Sequence, residues 1–291
     1  MLEKTIEDAT ANLLKLAVIK LPADVKQSLE KAMVQEKNTI AKAQLSAILN
    51  NIQLAEDMDV PICQDTGIIT FYITVGDKFP NIGSLQTILR NATKHATENV
   101  PLRPNAVNPF TGKNSGDNTG EHIPYLNWEI IAGGTLQITV FPKGAGSENN
   151  CALGMLNPGQ GIKGIKRFVI DSVIAAGSKP CPPTILGVGI GGGADIALSL
   201  AKKALLRSID KRHENPEVAK LEEELYKLAN QTGIGPMGLG GETTVLGVNV
   251  EYAHRHTASL PVALATQCWA SRKATAKIWP NGRVEYLTHK T

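Results

Sequence analysis

Two hydrophobic periods, one after the other, constrain the fold of this chain more than anything else in it. From Glu3 to Asp57 apolar side chains recur every three or four residues, in IEDATANLLKLAVIKL and again in TIAKAQLSAILNNIQLAEDM. That is the spacing of helices with one buried face. Pro22 breaks the run, and Asp59-Val60-Pro61 ends it. Residues 68–75 then read IITFYITV, a β-branched and aromatic stretch with the pattern of a strand. A one-faced helix must bury that face, and a strand needs neighbours. The expected class is therefore mixed α/β, with a helical N-terminal region of about residues 1–58 packed with a mixed sheet. No internal repeat or low-complexity linker divides the chain, so residues 1–291 read as a single domain.

Further along, SLQTILRNATKHATENV predicts a helix ending before Pro101. Residues Arg103 to Pro124 are polar and carry Pro104, Pro109, Gly112, Gly116, Gly120 and Pro124, which predicts an ordered loop. TLQITVF reads as the next strand and TILGVGI as another, followed by an amphipathic helix over ADIALSLAKKALLRSI. Asn215-Pro216 is a cap with proline in the first turn of a further helix, which Gly233 closes. TTVLGVNVEY, LPVALATQ and RVEYLTH complete the set as strands.

Composition excludes several roles. Aromatics are only 4% of residues and net charge is +3 with no clustered basic stripe, so a nucleic-acid groove is not expected. No apolar run approaches the roughly 18–20 residues that span a bilayer. The N-terminus carries Glu3, Glu7 and Asp8 and lacks the basic-then-apolar layout of a signal peptide. The expected location is cytoplasmic, where thiols stay reduced.

Reduced thiols change the meaning of Cys63, Cys151, Cys181 and Cys268, none of which lies in a C-x-x-C pair. They read either as buried small side chains or as ligands. Cys63 precedes a strand in Pro61-Ile62-Cys63-Gln64-Asp65-Thr66-Gly67, Cys181 precedes another in Lys179-Pro180-Cys181-Pro182-Pro183, and Cys268 follows a third in Thr266-Gln267-Cys268-Trp269. Cysteines at strand ends can converge from distant parts of a chain, and three thiolates can hold a [4Fe–4S] cluster with one open iron, a Lewis acid. Gly187-Val188-Gly189-Ile190-Gly191-Gly192 satisfies G-x-G-x-x-G, but no acid-ended second strand follows at the required distance. A dinucleotide site is not expected; the glycines are read as letting the backbone pass close to a cluster or substrate.

The first of these strings resembles the first cluster motif of class I (iron–sulfur) fumarases and the related L-tartrate dehydratases. The similarity runs in order through Pro101-Leu102-Arg103-Pro104, Lys143-Gly144-Ala145-Gly146-Ser147-Glu148-Asn149 and Cys181-Pro182-Pro183. It continues through Gly235-Pro236-Met237-Gly238-Leu239-Gly240-Gly241, His254-Arg255-His256 and Gln267-Cys268-Trp269-Ala270. Together these span roughly Val60 to Lys273.

The resemblance implies a hydro-lyase α subunit that hydrates fumarate reversibly to malate, with L-tartrate dehydration as the alternative. A non-enzymatic metal or iron–sulfur sensor subunit is the rival of a different class. It implies Cys63, Cys181 and Cys268 as ligands of the [4Fe–4S] cluster and Cys151 as a non-ligand. Ala145 departs from a glycine that many relatives carry. Asp65, by itself either a turn cap or a substrate-facing acid, becomes catalytic with His256. Gln64, Arg103 and Gly144 become substrate-binding, Arg103 as a bidentate clamp for a carboxylate. A separate β subunit is implied in an αβ hetero-oligomer, supplying the residue that removes the carbon-bound proton.

Overall fold

A computed structural model describes residues 1–289 and divides the chain into two compact units. In chain order the elements are α1 (Leu2–Ile19), α2 (Ala23–Gln35), α3 (Thr39–Met58), β1 (Ile68–Gly76), α4 (Leu85–Asn99), β2 (Tyr125–Ile131) and β3 (Leu136–Lys143). A single turn α5 (Ala145–Glu148) leads to β4 (Ala152–Leu156), α6 (Gly161–Ala176), β5 (Thr184–Gly192), α7 (Ala194–Ala204) and α8 (Pro216–Asn230). Then come β6 (Val245–Arg255), β7 (Leu260–Gln267), β8 (Ala274–Ile278) and β9 (Val284–Tyr286). The mixed α/β class is as expected. The segment 103–124 is an ordered loop without helix or named strand, pinned by bridges between Val107 and Asn114 and between Gly120 and Ile123.

The first unit comprises Met1–Ala23, Asn51–Ala145 and the stretch from Arg272. Its sheet runs β2-β1-β3-β8-β9, parallel only between β1 and β2. α1 and α4 cover it: Leu13, Leu14 and Val18 meet Leu85 and Leu89 over Phe71, Ile73, Ile138 and Val140, all buried. Burial alternates along β1, as a strand with one covered face requires. Ile68 pairs with Lys143 across β1 and β3, while β8 pairs with β3 from Val140 back to Leu136. The start of β1, the end of β3 and the start of β8 therefore lie at one end of this sheet.

The second unit comprises Asp24–Asn50 and Gly146–Ser271. Its sheet runs β4-β7-β5-β6, parallel only between β5 and β6. One face packs Leu186, Val188, Val250 and Val262 against Val169 of α6 and Leu221 and Leu225 of α8. The helical segment 24–50 is tied in by Asp24, which accepts from Ser208 Oγ and Ile209 N–H, and by Glu36, which accepts from Glu242 N–H. Asn215 caps α8 by accepting from Glu217 N–H, as its sequence predicts. The helix α7 is shorter than its apolar pattern: it stops at Ala204 in a turn that leads to Ser208.

The glycine-rich run of β5 has a different cause from the one expected. Side chains alternate along a strand, so Gly187 and Gly189 share the face opposite Leu186 and Val188. On that face α7 lies so close that a Cβ on Gly187 would meet the Ala201 carbonyl, and one on Gly189 the Ala197 carbonyl. These glycines seat a helix rather than a cluster or substrate. Gly189→Ala should destabilise the protein by about 1–3 kcal/mol, the usual scale of core overpacking. Thermal melting checks this, and an unchanged melting temperature would remove the close helix packing as the reason for the glycine.

Candidate active site

At the meeting of β1, β3 and β8 in the first unit, Asp65 lies in the turn before β1. Its Oδ1 accepts from Gly67 N–H at 2.9 Å and its Oδ2 from Ala145 N–H at 2.8 Å. The first bond is the turn-capping role open to any such aspartate. The second reaches across the sheet end and ties the cysteine-bearing segment to the turn after β3. Gly67 makes the approach possible. Its φ is +84°, and a Cβ there would stand 2.7 Å from the backbone of Pro142 and Lys143.

Thr66, 2% exposed, fastens the Arg103 loop to the same segment. Its hydroxyl accepts from Arg103 N–H at 3.0 Å and donates to Arg103 C=O at 3.2 Å. Asn105 donates to Gly67 C=O at 3.2 Å, and Asn118 accepts from Asn105 N–H at 2.7 Å. The Arg103 backbone is thus held beside Asp65, while Arg103 and Gln64 are themselves exposed. Cys63 and Asp65 are half-buried, and Gly144 is buried.

Three cationic side chains at this sheet end, Lys143, Arg272 and Lys273, are almost wholly buried. Arg272 Nε donates to Pro142 C=O at 3.3 Å. The guanidinium Nη2 lies where a Cβ on residue 144 would be, and Asp65 Oδ2 lies 3.0 Å from that same point. Gly144 is therefore glycine because an arginine and a carboxylate crowd it. Buried positive charge beside a half-buried carboxylate suits an anionic ligand.

The second unit brings two of the cysteines together. The pairing of Ile185 with Gln267 puts the start of β5 and the end of β7 at one end of that sheet. Cys181 lies just before the first and Cys268 just after the second. Trp269 N–H donates to Cys181 C=O at 3.5 Å, joining the two turns. Cys181 has φ 54°, a left-handed conformation that costs a non-glycine residue about 1–2 kcal/mol. Met237, also at φ 54°, donates its N–H to Pro182 C=O at 2.7 Å, so the 235–241 loop braces the Cys181 turn. Strain of this kind persists where surroundings hold it in place, commonly at functional sites.

His256 is exposed in the turn between β6 and β7, where its Nδ1 accepts from Ala258 N–H at 3.1 Å. The pairing of Gly192 with Arg255 places this turn at the end of the second unit's sheet opposite Cys181 and Cys268. Arg255 has a structural duty, donating to the carbonyls of His256, Thr257 and Ser259. Cys151 Sγ lies 3.8 Å from the Glu148 carboxylate and 4.0 Å from Ser147 C=O. Glu148 in turn accepts from Lys202 at 2.6 Å.

All four cysteines are free thiols and half-buried. Among the described residues no group of three or more His, Cys, Asp or Glu side chains is arranged as a metal site. The run around Cys268 nevertheless holds three buried polar atoms with no partner among the described residues: Gln267 Oε1, Ser271 Oγ and Arg272 Nη1. Buried polar atoms are nearly always satisfied, so three orphans in six residues mark a place built to face something else. Reduced thiols at the strand ends of Cys181 and Cys268, beside the unpartnered Gln267 Oε1 and Ser271 Oγ, are a donor set that suits an iron–sulfur cluster.

Thr66 lies inside the first motif without a role assigned to it and Arg272 lies outside every motif quoted, so sequence reasoning passes over both. Arg272, four residues after Cys268, could have been flagged by its place in Ser271-Arg272-Lys273 on the apolar approach to β8.

Residues 7–277 match the family described as Fumarate hydratase (Fumerase). The chain is 48% identical to a Methanocaldococcus jannaschii protein provisionally named L(+)-tartrate dehydratase subunit alpha, over 94% of this chain and 97% of that one. It is 37% identical to the L(+)-tartrate dehydratase subunit alpha of Escherichia coli UTI89, over 98% of this chain and 94% of the relative. The Shigella sonnei protein of the same name is likewise 37% identical. No helix among the described residues is long and apolar enough to cross a membrane.

Thr66→Val keeps the shape of the side chain and deletes its hydroxyl. It should cost about 0.5–1.5 kcal/mol, the net worth of a typical hydrogen bond, by removing the partner of the part-buried Arg103 amide. Limited proteolysis should cut residues 103–124 faster than in the wild type. Equal melting and equal cleavage would show that Thr66 does not hold this loop.

Proposed function

The chain belongs to the fumarate hydratase (Fumerase) family as a hydro-lyase α subunit, and we propose that its reaction is the reversible hydration of fumarate to malate. The observation that carries this reading is the sheet end of the first unit: a carboxylate held by two backbone amides, beside an arginine loop and buried cations. A [4Fe–4S] cluster held by Cys63, Cys181 and Cys268 would supply a Lewis acid for the substrate's oxygens, since three thiolates leave one iron open. Cys151 stays outside this set.

The remaining work falls to the chain's own groups. Asp65 handles the proton of the water that is added or lost. The Gly67 and Ala145 amides fix its two oxygens, so the proton passes at a set place. His256 is the second catalytic candidate by resemblance, but its turn follows β6 at the sheet end opposite Cys181 and Cys268, so one copy of this chain does not bring it to them. Arg103 clamps a carboxylate with its planar fork, a geometry lysine does not offer. Gln64 and Gly144 complete the substrate's polar surroundings. A β subunit, the kind of partner the relatives' "subunit alpha" names imply, supplies the base for the carbon-bound proton.

L(+)-tartrate is the second reading, favoured by the names of the relatives. Malate, the hydrated form of fumarate, differs from L-tartrate by one hydroxyl, which a polar site can discriminate strongly. The test is to co-express both subunits, reconstitute the cluster without oxygen and compare fumarate, L-tartrate and mesaconate. Fumarate should give the highest kcat/KM. A higher value for L-tartrate would move the assignment to the second reading, and no turnover of any C4 or C5 dicarboxylate would end the hydro-lyase reading.

Asp65→Asn keeps the side chain's size and removes its proton chemistry. We expect an intact chromophore and a kcat lower by roughly 10²–10⁴-fold, the usual worth of a positioned acid. In barrier terms this is about 2.7–5.4 kcal/mol. His256→Asn should behave alike, and the double variant should be scarcely slower than either single one if the two act as a unit. An unchanged kcat in Asp65→Asn would return Asp65 to turn capping alone.

A further inference from the structure

We propose that Arg272 is an anion-binding residue of this site, its Nη1 edge taking one carboxylate of the C4 dicarboxylate. The inference rests on the hydro-lyase reading and adds to it a residue that none of the family's motifs quoted above contains.

Arg272 is 2% exposed, yet among the described residues only part of its donor set has a partner. Nε is committed to Pro142 C=O, Nη2 lies against Gly144, and Nη1 is buried without a partner. A guanidinium stays charged at any pH at which proteins fold, so it cannot relieve this by losing a proton. Burying a cation with an unused donor is costly unless an anion completes it. Asp65 Oδ2 and Arg272 Nη2 crowd the same point on Gly144, which sets the guanidinium beside the Asp65 carboxylate. An anion on Nη1 would therefore sit beside the carboxylate assigned to proton transfer, with the Arg103 loop tethered to the same turn through Thr66.

A carboxylate suits the position better than a bulky anion. With Nε committed and Nη2 against Gly144, Nη1 offers one charge-assisted bond to a carboxylate oxygen, and bonds of this kind are short and strong. The cluster is the other anion that could reach this guanidinium, and the two make different demands. A carboxylate seat controls ligand affinity and leaves the cluster intact. A cluster seat controls the chromophore.

The experiment uses the reconstituted enzyme with its β subunit and the non-reacting dicarboxylate succinate as the probe. Binding is measured by anaerobic calorimetry, beside the visible absorbance of the cluster, for wild type, Arg272→Lys and Arg272→Met. Loss of a charge-assisted hydrogen bond should weaken succinate binding about 10- to 100-fold, with the larger loss in Arg272→Met. The chromophore should be unchanged in Arg272→Lys. Wild-type affinity in both variants would overturn the proposal, and so would loss of the chromophore in Arg272→Lys with succinate affinity per cluster unchanged. Should Arg272→Met fail to fold, Arg272→Lys decides alone, because it keeps the charge in the same space. Failure of the wild type to bind succinate while still folded and loaded would instead count against the dicarboxylate reading itself.

Discussion

Strand register is the constraint on which everything else here depends. Ile68 opposite Lys143 sets Asp65 against the turn after β3, and Ile185 opposite Gln267 sets Cys181 against the turn after β7. A slip of one residue in either pair would turn buried side chains outward and separate the turns at the same time. Such slips are strongly opposed, because Phe71, Ile73, Val140, Val188 and Leu264 all lose their burial together. Core packing far from the site thus fixes the positions of groups that no local bond could hold alone. The residues proposed to do chemistry stand just beyond strand ends, where the chain leaves the sheet and its geometry becomes free to vary.

Those strand ends carry the least comfortable parts of the molecule. Cys181 and Met237 adopt left-handed conformations without being glycine, and Arg272, Ser271 and Gln267 bury polar atoms that have no partner among the described residues. Glu222 in the second unit is the contrary case. Glu222, fully buried, takes hydrogen bonds from Arg207, His213 N–H and Val250 N–H. The contrast separates a structural network from a site that awaits its ligands. In the first case every demand is met inside the chain, and in the second the demands point at absent partners.

Much of this was legible in the sequence, and the exceptions share a cause. β1, α4 and β7 follow directly from periodicity and breakers, because each carries one clear pattern between Pro or Gly boundaries. β2 lies at the sheet edge with most side chains exposed, so YLNWEII has no alternation to read. Gly161 and Gly164 obscure α6, although its buried positions keep helical spacing. The cysteines, Asp65 and Arg103 could be named from motifs. Thr66, Arg272 and the true use of Gly187 and Gly189 could not, since each depends on which strand or helix lies across from it. Spacing along a chain does not record that.

The central claim is that three of the four cysteines, Cys63, Cys181 and Cys268, hold one cluster with an open iron. Anaerobic absorbance and iron content of the four single serine variants test it directly. Serine at 63, 181 or 268 should each abolish or severely deplete the [4Fe–4S] chromophore, and Cys151→Ser should leave it at the wild-type level. Equal loss in all four would mean a fully ligated cluster with no open iron, and no loss at Cys63 would mean that the strand ends do not supply the ligands as proposed.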